Sequence, residues 1–125
     1  MSPTPHSLED IRAMIRKFVD ERDWNQYHRP LALALSASIE MGELLELFQW
    51  KTDSEILKAL EDREYREALS FEIADVMIYL LRLADRTGIN VVDAIVQKMK
   101  KNEIKYPVGK WNGKAPDKFS QSDSR

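Results

Sequence analysis

Glu40-Met41-Gly42-Glu43 and Glu72-Ile73-Ala74-Asp75 are two acidic steps set in apolar sequence, and their reading decides the fold. Each pair is spaced i, i+3, so on a helix both carboxylates leave one face with Cβ atoms roughly 5 to 6 Å apart. Leu31, Leu33, Leu35, Ile39, Leu44, Leu45, Leu47 and Phe48 flank the first step, and Phe71, Val76, Met77, Ile78, Leu80 and Leu81 flank the second. These are the surroundings of core helices on which four acids could converge. A carboxylate there must be protonated, paired with a cation or bound to a metal, because an uncompensated buried charge is very costly. No Lys or Arg lies within either apolar run to serve all four.

The rest of the chain supplies helices to hold these two. Ser7-Leu8-Glu9-Asp10 has the form of an N-cap with an acid at the third position, and Ile11, Ile15 and Phe18 recur at helical spacing, which predicts a first helix from about Leu8 to Asp23. Trp24 to Pro30 reads as a structured loop, since a proline disfavours helix at the residue before it. A second helix is expected from Pro30 to about Trp50, then a break with a new cap at Lys51-Thr52-Asp53 and a short helix from Ser54 to Leu60. From about Glu64 a long helix carries the second acidic step and ends at Gly88, and Val92, Ile95, Val96 and Met99 mark a last helix to about Ile104. No stretch has the period of a strand. The expectation is an all-α chain, a four-helix bundle occupying residues 1–107, followed by an extended or disordered tail over 108–125 that is rich in Gly, Lys, Ser and Pro.

At 125 residues the chain is long enough for one domain with a substantial core. A net charge of -2 provides no bulk basic field for nucleic acid or an anionic membrane, and no apolar run is long enough to span a bilayer. The absence of Cys excludes thiolate metal sites and disulfides. With no signal peptide visible in Met1 to Pro5, a cytoplasmic location is expected.

Helical bundles commonly place metal sites in the core on inward acids. The di-iron version expects a Glu-x-x-His step, and His6 and His28 do not stand at that spacing. Oxygen-only ligation favours a hard cation, Mg2+ or Mn2+. Mg2+ held by carboxylates keeps several waters and meets substrate phosphates, so hydrolysis at phosphorus is the chemistry to expect.

The Glu-x-x-Glu, spacer, Glu-x-x-Asp pattern resembles the MazG-like all-α nucleotide pyrophosphohydrolases. Arg22-Asp23-Trp24, Phe48-Gln49-Trp50-Lys51, Asp75-Val76-Met77-Ile78-Tyr79-Leu80 and Lys98-Met99 through Asn102 to Lys105-Tyr106-Pro107 resemble the branch that acts on dCTP. The resemblance implies hydrolysis of a nucleoside triphosphate, dCTP or a 5-substituted dCTP, between its α and β phosphates, in the service of nucleotide-pool cleansing. It implies that Glu40, Glu43, Glu72 and Asp75 are the catalytic metal ligands, that Asn102 and Lys105 meet phosphate oxygens, and that Trp24, His28, Trp50 and Tyr79 form the base and sugar pocket. It also implies a homodimer or homotetramer. Phe71 departs from the pattern, standing where many relatives carry a further acid, which leaves the number of metals open.

Each residue has a plainer rival. Glu40 and Glu43 could be solvated acids on an amphipathic helix, Glu72 and Asp75 could pair with lysines of the last helix, and Trp24, Trp50 and Tyr79 could be core or interface residues. A non-catalytic helical interaction or nucleotide-binding module is the alternative from another class, and divalent-metal dependence separates the two.

Overall fold

The computed structural model describes residues 4–117 and Phe119. Its helices are α1 (Leu8–Glu21), α2 (Pro30–Glu46), α3 (Asp53–Ala59), α4 (Arg63–Arg86), α5 (Val91–Lys105) and α6 (Val108–Trp111), with a 3-10 turn at Asn25–Tyr27 between α1 and α2. Among the described residues there is no strand. The class is all-α, and the four principal helices expected from periodicity are α1, α2, α4 and α5.

Local chemistry sets most of the boundaries. The Ser7 side chain accepts from Asp10 N at 3.1 Å, and Asp10 accepts in turn from His6 N. Pro30 opens α2, where its missing N–H costs nothing, and Arg29 before it is extended. Thr52 and Glu55 form a reciprocal capping box on α3, and the Asp62 carboxylate caps α4. α4 ends as Gly88 predicts: the glycine has φ 72°, and Ile89 N donates back to Ala84 O at 2.9 Å.

Two helices stop earlier than the periodicity suggests. Asp23, expected inside α1, instead has φ 53°, and Trp24 N donates to Val19 O in the same type of closure. Asp tolerates that left-handed conformation better than most residues, which is why apolar spacing alone overruns the end. α2 gives way after Glu46 to turns that finish at Trp50, φ 70°. Beyond Pro107, Val108–Trp111 forms a helical turn where an extended tail was expected, held by an edge-to-face contact of Trp111 with Tyr106 at 5.2 Å. Residues 118 and 120–125 of that tail lie outside the described residues.

The chain divides into two compact units, Met1–Asn90 and Val91–Arg125. In the first, α4 packs along α2 and receives α1 on another side. The buried apolar side chains among the described residues are Val19, Leu33, Ala37, Leu44, Leu81 and Ala84. Leu33, Ala37 and Leu44 form a single stripe of α2, and Glu40 lies on it between Ala37 and Leu44. Helices α2 and α4 run antiparallel: the Tyr65 hydroxyl donates to Leu47 O at 2.6 Å at one end, Glu40 and Glu72 meet midway, and Leu33 and Tyr79 border one cavity at the other. In the second unit, α5 carries Asn102 and Lys105, and Lys105 Nζ lies 5.4 Å from the centre of the Tyr106 ring.

Candidate functional site

The α2–α4 seam brings Glu40, Glu43 and Glu72 together, each offering a carboxylate oxygen within 4.8 Å of the others. Glu40 and Glu72 are half-buried and Glu43 is exposed. Among the described residues no cation pairs with any of the three, and the Oε2 atoms of Glu40 and Glu72 are buried with no hydrogen-bond partner. Burial, then the neighbouring Glu43 and the charges of Asp75 and Glu72, push the Glu40 carboxyl above the ordinary carboxylate range. Glu72 is pushed the same way by burial first, then by Glu43, Asp75 and Glu46.

Asp75 is half-buried one turn along α4 and contributes to the field on both acids, although it is outside the group whose oxygens meet. Glu46, three residues past Glu43, joins that field and was not singled out in the sequence. Its signal was the continuation Glu40-x-x-Glu43-x-x-Glu46 on one helix.

Orphaned buried oxygens, mutual repulsion and an all-oxygen donor set are what a divalent hard cation would relieve, so these residues fit Mg2+ or Mn2+. An apolar core position occupied by an unpaired acid has no stabilising reading without such a partner.

One turn away, about 6 Å along each helix, a cavity of about 230 Å³ is lined by Trp24, Tyr27, His28, Ala32, Leu33, Ser36 and Tyr79. Ser36 precedes Glu40 by four residues and Tyr79 follows Asp75 by four, so cavity and acids occupy the same faces of α2 and α4. Trp24 is held edge-to-face against Phe18 at 5.6 Å. Of the four aromatic and imidazole groups assigned to a pocket, Trp24, His28 and Tyr79 border this cavity. Trp50 does not, and is 90% exposed. Tyr27 and Ser36 are lining residues that the sequence reading passed over. Asn102 stands half-buried on α5, its Nδ2 3.9 Å from Met99 Sδ.

Behind the cavity lies a polar group that sequence alone did not suggest. Arg82, 3% exposed, donates from Nε to His28 Nδ1 at 3.1 Å, from Nη1 to Asp85 Oδ2 at 2.8 Å, and from Nη2 to Asn25 Oδ1. Asp85 also accepts from Arg16, with Arg12 Nη1 3.5 Å away, and Arg86 Nε donates to His28 O at 3.1 Å. The available signal was a lone arginine in the run Leu80-Leu81-Arg82-Leu83 with an acid three residues on.

Fold and site together define an all-α protein with a cluster of carboxylates on a packed helix pair beside an aromatic-lined cavity. The profile of the MazG-like family matches residues 35–116, and the chain belongs to that family. dCTP pyrophosphatase 1 of Mus musculus is 45% identical over 114 residues, covering 91% of this chain and 66% of that protein. The Homo sapiens protein of the same name is 46% identical over 106 residues, covering 85% of this chain and 62% of its own. The chain thus spans just under two thirds of the length of these curated relatives. The crystal structure of a pyrophosphatase from Archaeoglobus fulgidus is 45% identical with a TM-score of 0.75, covering 86% of this chain and 98% of that one.

Proposed function

We propose that the protein hydrolyses a nucleoside triphosphate between the α and β phosphates, releasing the monophosphate and pyrophosphate, with Mg2+ as cofactor and dCTP or a 5-substituted dCTP as substrate. The observation that carries this reading is the unpaired Glu40, Glu43, Glu72 cluster one helical turn from the Trp24–Tyr79 cavity, in a chain of the MazG-like family and similar to dCTP pyrophosphatases.

Glu40, Glu43, Glu72 and Asp75 would hold the cation. A divalent cation held by these carboxylates would supply charge neutralisation for the triphosphate and a lowered pKa for an attacking water. The protein's own part is placement. Trp24 and Tyr79 offer ring faces to a base, His28 and Ser36 offer polar groups to its edge or to the sugar, and the one-turn offset to the acids sets the α phosphate beside them. Trp50, Asn102 and Lys105 enter the proposal through the family resemblance alone, as an aromatic face, an amide donor and a cation suited to phosphate oxygens. Leu31, Leu35, Ile39 and Leu45 leave an exposed apolar surface on α2, which supports assembly as a homodimer or homotetramer. A cytoplasmic role in cleansing nucleotide pools, with no nucleic-acid or membrane partner, completes the proposal. Among the described residues no helix is long and apolar enough to cross a membrane.

The test is a panel of canonical and modified nucleoside triphosphates with Mg2+, pyrophosphate and orthophosphate being assayed separately. Pyrophosphate with dCTP-type substrates is the expected product. Orthophosphate would overturn the cleavage position, and no product with any nucleotide or metal would favour a binding module.

A further inference from the structure

Arg82 is a buried cation on α4 whose three donor directions are all used inside the protein: Asp85 on its own helix, Asn25 in the 3-10 turn, and the ring nitrogen Nδ1 of His28. A guanidinium only donates, so a nitrogen facing it at 3.1 Å must be an acceptor. Nδ1 of His28 is therefore unprotonated, and the neutral ring carries its proton on Nε2. The hydrogen bonds of His28 given above run through Nδ1 and its backbone, and His28 borders the cavity.

The surroundings enforce this tautomer. Asp85 is shared with Arg16 and Arg12, which holds the far side of the Arg82 guanidinium. Asn25 Nδ2 donates to Asp20 at 2.6 Å, turning its Oδ1 toward Arg82, and Arg86 pins the His28 carbonyl. The charged groups nearest the imidazole are the cations Arg82 and Arg86, with Asp85 beyond Arg82. Burial, then these two arginines, lower the His28 pKa from its ordinary value, in the same direction as the geometry.

We propose that Arg82 is a positioning residue that locks His28 as a neutral Nε2–H donor, so that the cavity recognises a base edge presenting a hydrogen-bond acceptor at that point. This deepens the nucleotide-hydrolase reading and rests on it. An imidazolium or an Nδ1–H ring would present different chemistry to the same base, so the arginine acts on recognition through the histidine without touching substrate.

The first test needs no variant. In uniformly 15N-labelled protein at pH 7, the long-range 1H–15N spectrum of His28, assigned with His6→Gln, should show a protonated Nε2 and an acceptor-type Nδ1. An Nδ1–H ring or an imidazolium overturns the proposal, whatever the activity. The second test measures pyrophosphate release. Arg82→Met should raise KM for the best nucleotide about tenfold, the worth of one hydrogen bond, with kcat held within about threefold, and should mix the His28 tautomers. Arg82→Lys, which keeps a donor, should recover part of the KM. Unchanged KM, or an equal fall of kcat with every base and an unchanged His28 spectrum, would make Arg82 a structural brace only. Absence of pyrophosphate from the parent protein would sink the hydrolase reading itself, while the spectrum still decides the tautomer.

Discussion

Glu40 occupies the stripe of α2 that Leu33, Ala37 and Leu44 bury, a place where packing alone favours an apolar side chain. Its folded-state pKa is raised, so its contribution to stability is fully present below the ordinary carboxylate value and is lost as pH rises through the higher folded one. At pH 7 without metal it is therefore a liability. Glu40→Gln should melt roughly 2–5 °C higher than the parent in chelator, and should lose the upward shift that Mg2+ gives the parent by mass action. A lower melting temperature in chelator would mean that Glu40 has a protein partner. Trp50 is a second residue out of place, exposed and at φ 70°. Trp50→Gly should leave stability unchanged or raise it by about 1 kcal/mol in urea unfolding, while raising KM for nucleotide. Unchanged KM would remove Trp50 from the proposed substrate contacts. The acidic steps were legible because i, i+3 spacing in apolar sequence is a local signal. The backbone conformation of Trp50 was not, since nothing local distinguishes it from a continuing helix.

Between elements, the Arg82–Asp85 network joins α1, the 3-10 turn and α4. Hydrogen bonds from Arg16, with the charges of Arg16, Arg12 and Arg82, lower the Asp85 pKa against the opposing effect of burial. A lowered value means stability that is present above the ordinary carboxylate range and lost as pH falls through the folded pKa. Asp85→Asn leaves Arg82 buried without its counter-charge and should cost about 3–5 kcal/mol at pH 7. Urea titrations between pH 3 and pH 6 should show the acid loss of stability shrinking in the variant, and an unchanged acid limb would contradict the assignment. The caps at Ser7, Thr52 and Gly88 belong to the same scale but were readable in sequence, because each acts within four residues, whereas the Asp62 cap of α4 emerged only with the structure. Thr52→Ala should cost about 1 kcal/mol by the same titration. The arginine network was not readable, since Arg16 and Asp85 lie 69 residues apart and Arg82 and His28 lie 54 apart. Only packing of α1 and the turn onto α4 brings them together.

For the molecule as a whole, the apolar periodicity that made α2 and α4 legible also overstates what one chain buries. Leu31, at 71% exposure, and Leu35, Ile39 and Leu45 read as core in the sequence and stand on the outer side of α2. Self-association would cover such a surface. Sedimentation should give the mass of two or four chains, and Leu35→Lys should shift it toward one. A monomeric parent at micromolar concentration would contradict the assembly. The central claim is that acids from two antiparallel helices make one cation site that drives cleavage of a triphosphate. Its most direct test is pyrophosphate release from dCTP as Mg2+ is titrated, parent beside Glu72→Gln, with helicity checked by circular dichroism. Saturable Mg2+ dependence is expected in the parent, and a loss of at least about 100-fold in a folded variant. Activity independent of divalent metal, or retained in Glu72→Gln, would contradict that claim.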